Sequence, residues 1–370
     1  MKRIIGLMFV LLAIALYHLG LFTVVPGFLN MQLAEAASDT SEGQLKREIS
    51  ETFVTNIEPS WRKETFIVSP DNRRVAYAIK KDDRWAVIID GDKQKKYVNM
   101  MENFPIFSPD SEKVAYVAKK NDKAVVVVDS EEGQPYDNIL SGTPIFSPDG
   151  ERVAYGAIEG EQRFVVIDGK EQKRYDGIPA GTPIFSPDGK RVAYGAIEGD
   201  KWFVVVDGEE QNRYDSLLKD SLKFSPNSER VAYGAIKDDE LLVVVDGEEQ
   251  NRYDGVLKDS LKFSPNSERL AYGAREGDKW FVVIDGKEQK RYDGIMAGTP
   301  IFSPDGKKVA YGAIEGDKWF VVVDGEKQKE YDALIAIGGG DIVFNKPNNL
   351  HYLALKGRSI YLVEERFKIK

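Results

Sequence analysis

A 39-residue unit written seven times in succession constrains this chain more than any other feature. Prolines recur at Pro70, Pro109, Pro148, Pro187, Pro226, Pro265 and Pro304, 39 residues apart and each preceded by serine. Tyrosines keep step at Tyr77, Tyr116, Tyr155, Tyr194, Tyr233, Tyr272 and Tyr311. Some copies are almost the same: residues 181–211 and 298–328 differ at two of 31 positions, and residues 219–235 and 258–274 at one of 17. A degraded eighth copy follows Gly338-Gly339-Gly340, with Tyr352 and Gly357 in register with Tyr311 and Gly316. A fixed period of this length means supersecondary units that cannot bury their apolar faces singly and must stack. The 370 residues therefore count copies of one unit and not two or more unrelated domains.

Residues 181–218 show what one unit folds into. Thr182-Pro183-Ile184-Phe185-Ser186-Pro187 is a short extended run, ended by the turn signal Pro187-Asp188-Gly189. Arg191 to Ile197 is a second run, closed by Glu198-Gly199-Asp200. Trp202 to Val206 is β-branched and aromatic, closed by the hairpin pair Asp207-Gly208, and Gln211 to Asp215 is a fourth, more polar run. Four strands joined by tight turns make one antiparallel blade, and a series of them is an all-β propeller. The polar fourth strand suits an outer edge that must not pair with other molecules. The last copy ends after its third strand, while Glu51 to Ile57 stands where a fourth belongs. The sequence thus predicts eight blades, with this N-terminal strand completing the last and locking the ring. Seven is the alternative if the last copy forms no blade.

Ahead of the repeats, Lys2 and Arg3 precede an apolar run over residues 4–29, and Ala34-Glu35-Ala36 supplies a small-residue cleavage site. This describes a secretory signal peptide over residues 1–36, or a membrane anchor through residues 4–29 if it is left uncleaved. Residues 37–50 read as a short flexible linker and 51–370 as the propeller. Both readings put the repeats outside the cytoplasm, in a periplasm or secreted. Composition narrows the chemistry further. Without cysteine there is no disulfide, thiol nucleophile, thiolate zinc site or lipid anchor. With only His18 and His351, a catalytic triad or a multi-histidine metal site has too few members. A net charge of −9 argues against nucleic acid. No cofactor and no metal are expected, and polar outer strands suit a monomer.

The recurring Phe-Ser-Pro-Asp-Gly-Lys-x-Val-Ala-Tyr, at residues 185–194 and 302–311, resembles the repeat of the WD-repeat-like, TolB-type propeller family. The family also includes the tricorn protease and the propellers of prolyl-oligopeptidase-type enzymes. The resemblance implies an exported propeller used for binding. Its peptidase members add a hydrolase domain with a Gly-x-Ser-x-Gly nucleophile elbow, a motif this sequence does not contain. It brings no catalytic residue with it.

Two constellations remain as candidate sites. A carboxylate precedes each third strand, at Asp83, Asp122, Glu161, Asp200, Asp239, Asp278 and Asp317. Hairpin turns place all seven on one end of the ring, where they would attract cations or a basic partner. The same residues also serve plain turn chemistry and solubility. The second constellation breaks the symmetry. Ile67, Ile106, Ile145, Ile184 and Ile301 hold one inner-strand position that Lys223 and Lys262 take in two adjacent copies. Strand alternation sets these lysines on the same face as Ser221 and Ser260, a place for an anionic group if that face lines the channel, and otherwise a solvated one. Trp85, Trp202, Trp280 and Trp319 open third strands and read as blade packing or as stacking surfaces. The expected function is a non-catalytic binding or assembly module at the cell envelope, its partner another envelope protein or a small ligand. The alternative is a carbohydrate-active or other hydrolytic enzyme with its site at the channel mouth, which needs two convergent carboxylates.

Overall fold

The computed structural model describes residues 50–100, 105–336 and 341–367. The expected signal peptide over residues 1–36, all but the last residue of the linker and Gly338-Gly339-Gly340 lie outside the described residues. The chain divides into the units Met1–Phe53 and Val54–Lys370, and every strand belongs to the second. Of the first, residues 50–53 carry no regular structure. Among the described residues no helix is long and apolar enough to cross a membrane.

Blade 4 illustrates how the repeat folds. Its strands Ile184–Phe185, Val192–Glu198, Lys201–Val206 and Glu209–Glu210 pair antiparallel in that order. The central hairpin runs in register from Ala193↔Val206 to Glu198↔Lys201 around a turn that begins with Gly199 at φ +61. At the next turn Asp207 and Gly208 both take positive φ, at 51 and 89, the conformation for which Asp-Gly is suited. Eight such sheets succeed one another, and the degraded last copy forms one of them, from Ala333–Leu334, Val343–Lys346, Asn349–Lys356 and Ser359–Arg366. The chain is a β-propeller of eight blades. In blade 5 the innermost strand is split into Ser216–Leu217 and Lys223–Phe224, both paired with Val231–Lys237. The loop between the two pieces carries the candidate site.

Strand alternation gives each central hairpin two apolar faces, and each face packs on a neighbouring blade. Ala193, Val204 and Val206 of blade 4 meet Val231, Tyr233, Leu242 and Val244 of blade 5, and equivalent clusters run from the first blade to the eighth. Polar side chains fasten the same joints. Tyr214, closing blade 4, packs edge-on against Tyr233 with ring centroids 6.1 Å apart. Its neighbour Asp215 accepts the Asp238 amide at 2.8 Å from the central turn of blade 5 and an ion pair from Lys201 at 2.7 Å. This pair recurs as Asp137 with Gly160, Asp176 with Gly199, Asp254 with Gly277, Asp293 with Gly316 and Asp332 with Gly357. The Tyr-Asp dipeptides are thus structural anchors.

In blades 1, 3, 4, 5 and 6 an arginine staples the blade to the next. Arg191 Nε donates to Asp207 Oδ2 at 2.7 Å, and its Nη1 reaches the Ser228 and Glu229 carbonyls of blade 5 at 3.1 and 2.7 Å. Asp207 Oδ1 also takes the Val192 amide at 2.9 Å.

The closing strand does not form. Residues 50–58 carry no strand, and among the described residues nothing pairs with the outer edge of Ser359–Arg366. The entering segment is engaged by blade 1 instead. Tyr77 Oη lies 3.2 Å from both the Glu58 amide, which donates to it, and the Asn56 carbonyl, to which it donates. With no blade ahead of it to stack a tyrosine on Tyr77, the chain leading into blade 1 takes that role. The hairpin face of blade 8 directed away from blade 7 is left open, and among the described residues no hydrophobic cluster joins blade 8 to blade 1.

Candidate ligand-binding site

In blades 3, 4 and 7 the loop splitting the inner strand reads Ser141-Gly142-Thr143-Pro144-Ile145, Ala180-Gly181-Thr182-Pro183-Ile184 and Ala297-Gly298-Thr299-Pro300-Ile301. In blades 5 and 6 it reads Lys219-Asp220-Ser221-Leu222-Lys223 and Lys258-Asp259-Ser260-Leu261-Lys262. The cis Thr-Pro bond of blades 3, 4 and 7 is lost, but the left-handed position ahead of it is kept. Gly142, Gly181 and Gly298 have φ of 84, 85 and 80, and Asp220 and Asp259 hold the same left-handed region at 59 and 58. That region suits glycine and is tolerated by aspartate at a cost of roughly 1 kcal/mol. The substitution therefore works against local stability and adds a carboxylate in return.

The Ser221 and Ser260 hydroxyls are not left free beside the lysines as strand alternation suggested, although Ser221 lines the same cavity as Lys223. Ser221 Oγ donates to the Leu218 carbonyl at 2.6 Å and accepts the Gly234 amide at 2.9 Å, and Ser260 does the same with Leu257 at 2.6 Å and Gly273 at 3.0 Å. Thr143 makes the identical pair with Leu140 and Gly156. The hydroxyl closes a turn in blades 1 and 3 to 7 and is committed there. The inner strand is broken at this point, so its period-two alternation does not carry across the loop.

Lys223 and Lys262 are half-buried at the ends of their loops. Burial, and after it the charge of Lys223, hold the Lys262 ammonium below the ordinary lysine range, with Asp341 and Asp259 opposing the shift. The two cations are thus near enough to repel, yet they line different cavities. Lys223 opens on a cavity of about 250 Å³ between blades 5 and 6, with Leu218, Val243, Val256 and Leu257 as its apolar wall. Lys262 donates to the Gly298 carbonyl and opens on a space of about 470 Å³ shared with Asp341 and Phe344.

A third cavity, of about 400 Å³, lies between blades 4 and 5. Trp202, Tyr233 and Leu217 line it, and it shares Leu218, Lys219, Asp220 and Ser221 with the cavity of Lys223. The loop of blade 5 is therefore a partition between two apolar clefts with Lys219 and Asp220 on both. Gly234 gives this partition its room: a Cβ there would sit 2.5 Å from Leu218 Cδ1. Lys219, Asp220, Lys258 and Asp259 were not singled out from the sequence, although their signal was present as the replacement of Ala-Gly by Lys-Asp in two adjacent copies.

The acidic residues do not converge. Asp83, Asp122, Glu161, Asp200, Asp239, Asp278 and Asp317 all sit exposed in the central turns, one to a blade. Asp83 pairs with Lys80 at 3.6 Å and Asp317 with Lys318 at 3.7 Å. Among the described residues no group of three or more potential metal ligands comes together. Of the tryptophans, Trp280 and Trp319 pack into interblade clusters and Trp85 lies beneath Arg62 and Lys80, leaving Trp202 to line a cavity. His351 is a strand residue of blade 8.

No family model and no curated protein matches the chain. Solved structures resemble it at the level of fold. TolB from Acinetobacter baumannii is 19% identical, over 58% of this chain and 62% of that one, with a TM-score of 0.32. The β-propeller domain of the trilobed protease from Pyrococcus furiosus is 16% identical, over 72% and 97%, with a TM-score of 0.33. The Dos1 propeller is 13% identical, over 83% and 92%, with a TM-score of 0.37. At these identities the likeness extends to the fold alone.

Proposed function

We propose that this chain is an exported, non-catalytic β-propeller serving as a binding or assembly module at a cell envelope, and that blades 5 and 6 recognise an anionic group of its ligand or partner. Export rests on the basic start, the apolar run of residues 4–29 and the Ala34-Glu35-Ala36 site. The recognition sector rests on one observation. In blades 5 and 6 alone the Gly-Thr-Pro-Ile loop becomes Asp-Ser-Leu-Lys, which sets lysines and aspartates over apolar clefts. Elsewhere the repeated acids, hydroxyls and arginines serve the joints of the fold. A lysine in each of two adjacent blades, where five others hold isoleucine, is an asymmetry suited to recognition of a single ligand.

The test is affinity capture from envelope extract with the full chain and with the double variant Lys223→Ile, Lys262→Ile. Isoleucine is the residue that blades 1–4 and 7 hold at this position, so the variant keeps the fold. The expected result is one partner or ligand retained by the parent chain and lost by the variant, with retention weakened by salt. Equal capture by both removes the lysines from the site. Turnover of a glycan by the purified chain would move the reading to the hydrolytic alternative.

A further inference from the structure

Blade 8 ends the array with a face unlike any other. Its hairpin pairs Asn349–Lys356 with Ser359–Arg366 over eight residues, Leu353 opposite Leu362 and His351 opposite Glu364. Residues opposite one another point to the same side of a sheet. Leu350, Tyr352, Ala354 and Val363 therefore face blade 7, where they join its core. Val343, His351, Leu353, Leu355, Ile360, Leu362 and Glu364 face the other way. On that face Leu362 is 62% exposed and Ile360 63%, whereas Val321, the counterpart of Leu362 in blade 7, is 0% exposed. Val343 and Leu353 are exposed as well.

Two occupants are excluded by the residues of the blades themselves. The matching face of blade 1, made by Tyr77, Ile79, Ala86 and Ile88, is already fully buried around Trp61 and Phe66. It is open neither to blade 8 of its own chain nor to that of another. Nor does the face suit a further repeat, because it has changed the residues that the repeat uses there. Ala310, Gly312 and Val323 of blade 7 become His351, Leu353 and Glu364. A Cβ at Gly312 would already lie 2.7 Å from Met296, so the leucine at this position alters the fit, and Glu364 in a closed interblade core would be a buried charge without a partner. The expectation of a monomer rested on polar outer strands, and Ser359–Arg366 departs from it.

We propose that this face binds the same face of a second copy, forming a two-fold dimer in which the blade 8 sheets pack face to face. An isologous contact needs one self-complementary patch, which this face is, with a central apolar row flanked by His351 at one side and the carboxylate of Glu364 beside it. Counting the rim of His351, Leu355, Glu364 and Arg366, the contact removes on the order of 1,000 Å² of accessible surface, the lower bound for a specific interface. Two sheets about 10 Å apart bury the row without displacing any bond within blade 8.

The chain has no cysteine, so single-cysteine variants report cleanly. Leu353→Cys, Ile360→Cys and Leu362→Cys are each expressed in the full chain, treated with copper phenanthroline in intact cells and run on a non-reducing gel beside Glu209→Cys, an exposed outer-strand control in blade 4. The expected result is a covalent dimer of this chain from at least one of the three and none from the control. In parallel, Ile360→Lys with Leu362→Lys halves the sedimentation mass of the purified full chain while its circular dichroism stays unchanged. The proposal is overturned if none of the three cross-links, if the control cross-links equally, if the adduct contains a different protein, or if the lysine variant keeps the parent's mass.

Discussion

Exchanging Arg191 for lysine tests whether a single forked side chain holds two blades together. Residues 181–211 and 298–328 differ at two of 31 positions, and one of these is Arg191 against Lys308. The two blades are therefore near-replicates with the staple altered. Arg191 bonds Asp207 through Nε and the Ser228 and Glu229 carbonyls of the next blade through Nη1. The lysines make one half of this arrangement or the other. Lys308 reaches Asp324 at 3.3 Å, and Lys113 instead reaches the Gly150 and Glu151 carbonyls of the following blade at 3.1 and 2.9 Å. A point ammonium has no fork with which to serve both.

In Arg191→Lys the interblade half is the part at stake. The ion pair is about a third exposed on the arginine side, and screening reduces it to about 0.5 kcal/mol. Each charge-assisted bond to a carbonyl is worth about 1 kcal/mol net in such a setting. Losing the carbonyl bonds while keeping Asp207 costs about 1–2 kcal/mol. Stacked repeats can open locally, so global unfolding is a blunt readout. The sharper assay is peptide-level hydrogen exchange over residues 225–232, where roughly fivefold to thirtyfold faster exchange corresponds to that cost. Lys308→Met, which removes a partly exposed ion pair and the approach of the ammonium to the Phe367 ring, should speed exchange in its own blade by less than about fivefold. Equal effects from the two substitutions, or exchange over residues 225–232 unchanged by Arg191→Lys, would refute the account of the staple.

Three further outcomes are expected. Because burial and Lys223 hold Lys262 below the ordinary lysine range, the folded chain binds fewer protons there than the unfolded one, and this contribution makes stability rise with pH up to about 10. Lys223→Ile with Lys262→Ile should raise the melting temperature at neutral pH and flatten the slope on the acid side of about pH 10, and an unaltered slope counts against the pairing. Burial pushes the Tyr116, Tyr155 and Tyr194 hydroxyls up to about 12, so their contribution is complete below the unfolded value of about 10 and is lost as pH climbs through the folded one. Most of the tyrosinate absorbance should then appear together with unfolding, and ionisation of the bulk of the tyrosines near pH 10 with circular dichroism intact would contradict it. Ser221→Ala strands the Leu218 carbonyl and the Gly234 amide and should cost about 1–3 kcal/mol in urea unfolding, whereas Ser221→Thr, the residue of the sister blades, should be near neutral. Equal stability of the two variants would show the hydroxyl to be idle.

Most of the fold was legible because the repeat supplies its own controls. Strand, turn and order in one copy are checked by the next, and the pairs Asp-Gly and Tyr-Asp take the same roles wherever they recur. Closure was not legible, since it depends on where the ends of the chain meet and no repeat samples that. Glu51 to Ile57 has the composition of a strand, but the Tyr77 hydroxyl engages its end before it can reach blade 8. The candidate site was half legible. Lys223 and Lys262 stood out against five isoleucines, while the serines were misplaced because period-two reasoning assumes an unbroken strand and this one turns at Ser221. The clefts beside Trp202 and Val243 arise between blades, where a one-dimensional pattern gives no depth.

The straps formed by Asp215 and its equivalents have a consequence for how such a chain changes over generations. Among the described residues, each side-chain hydrogen bond between blades joins positions no more than 40 apart, among them the 23 of Asp215 with Asp238 and the 40 of Asp188 with Ser228. No contact depends on how many copies lie between the first blade and the last. Excising any 39 residues in frame between two near-identical stretches would leave a chain whose remaining joints are the same joints, with the specialised ends untouched. The near-identity of residues 219–235 with 258–274 is what recent copying of that kind leaves behind, and here it copied the lysine-bearing loop along with the scaffold. The number of blades, and with it the number of lysine-bearing sectors, is a quantity this protein can inherit in whole steps.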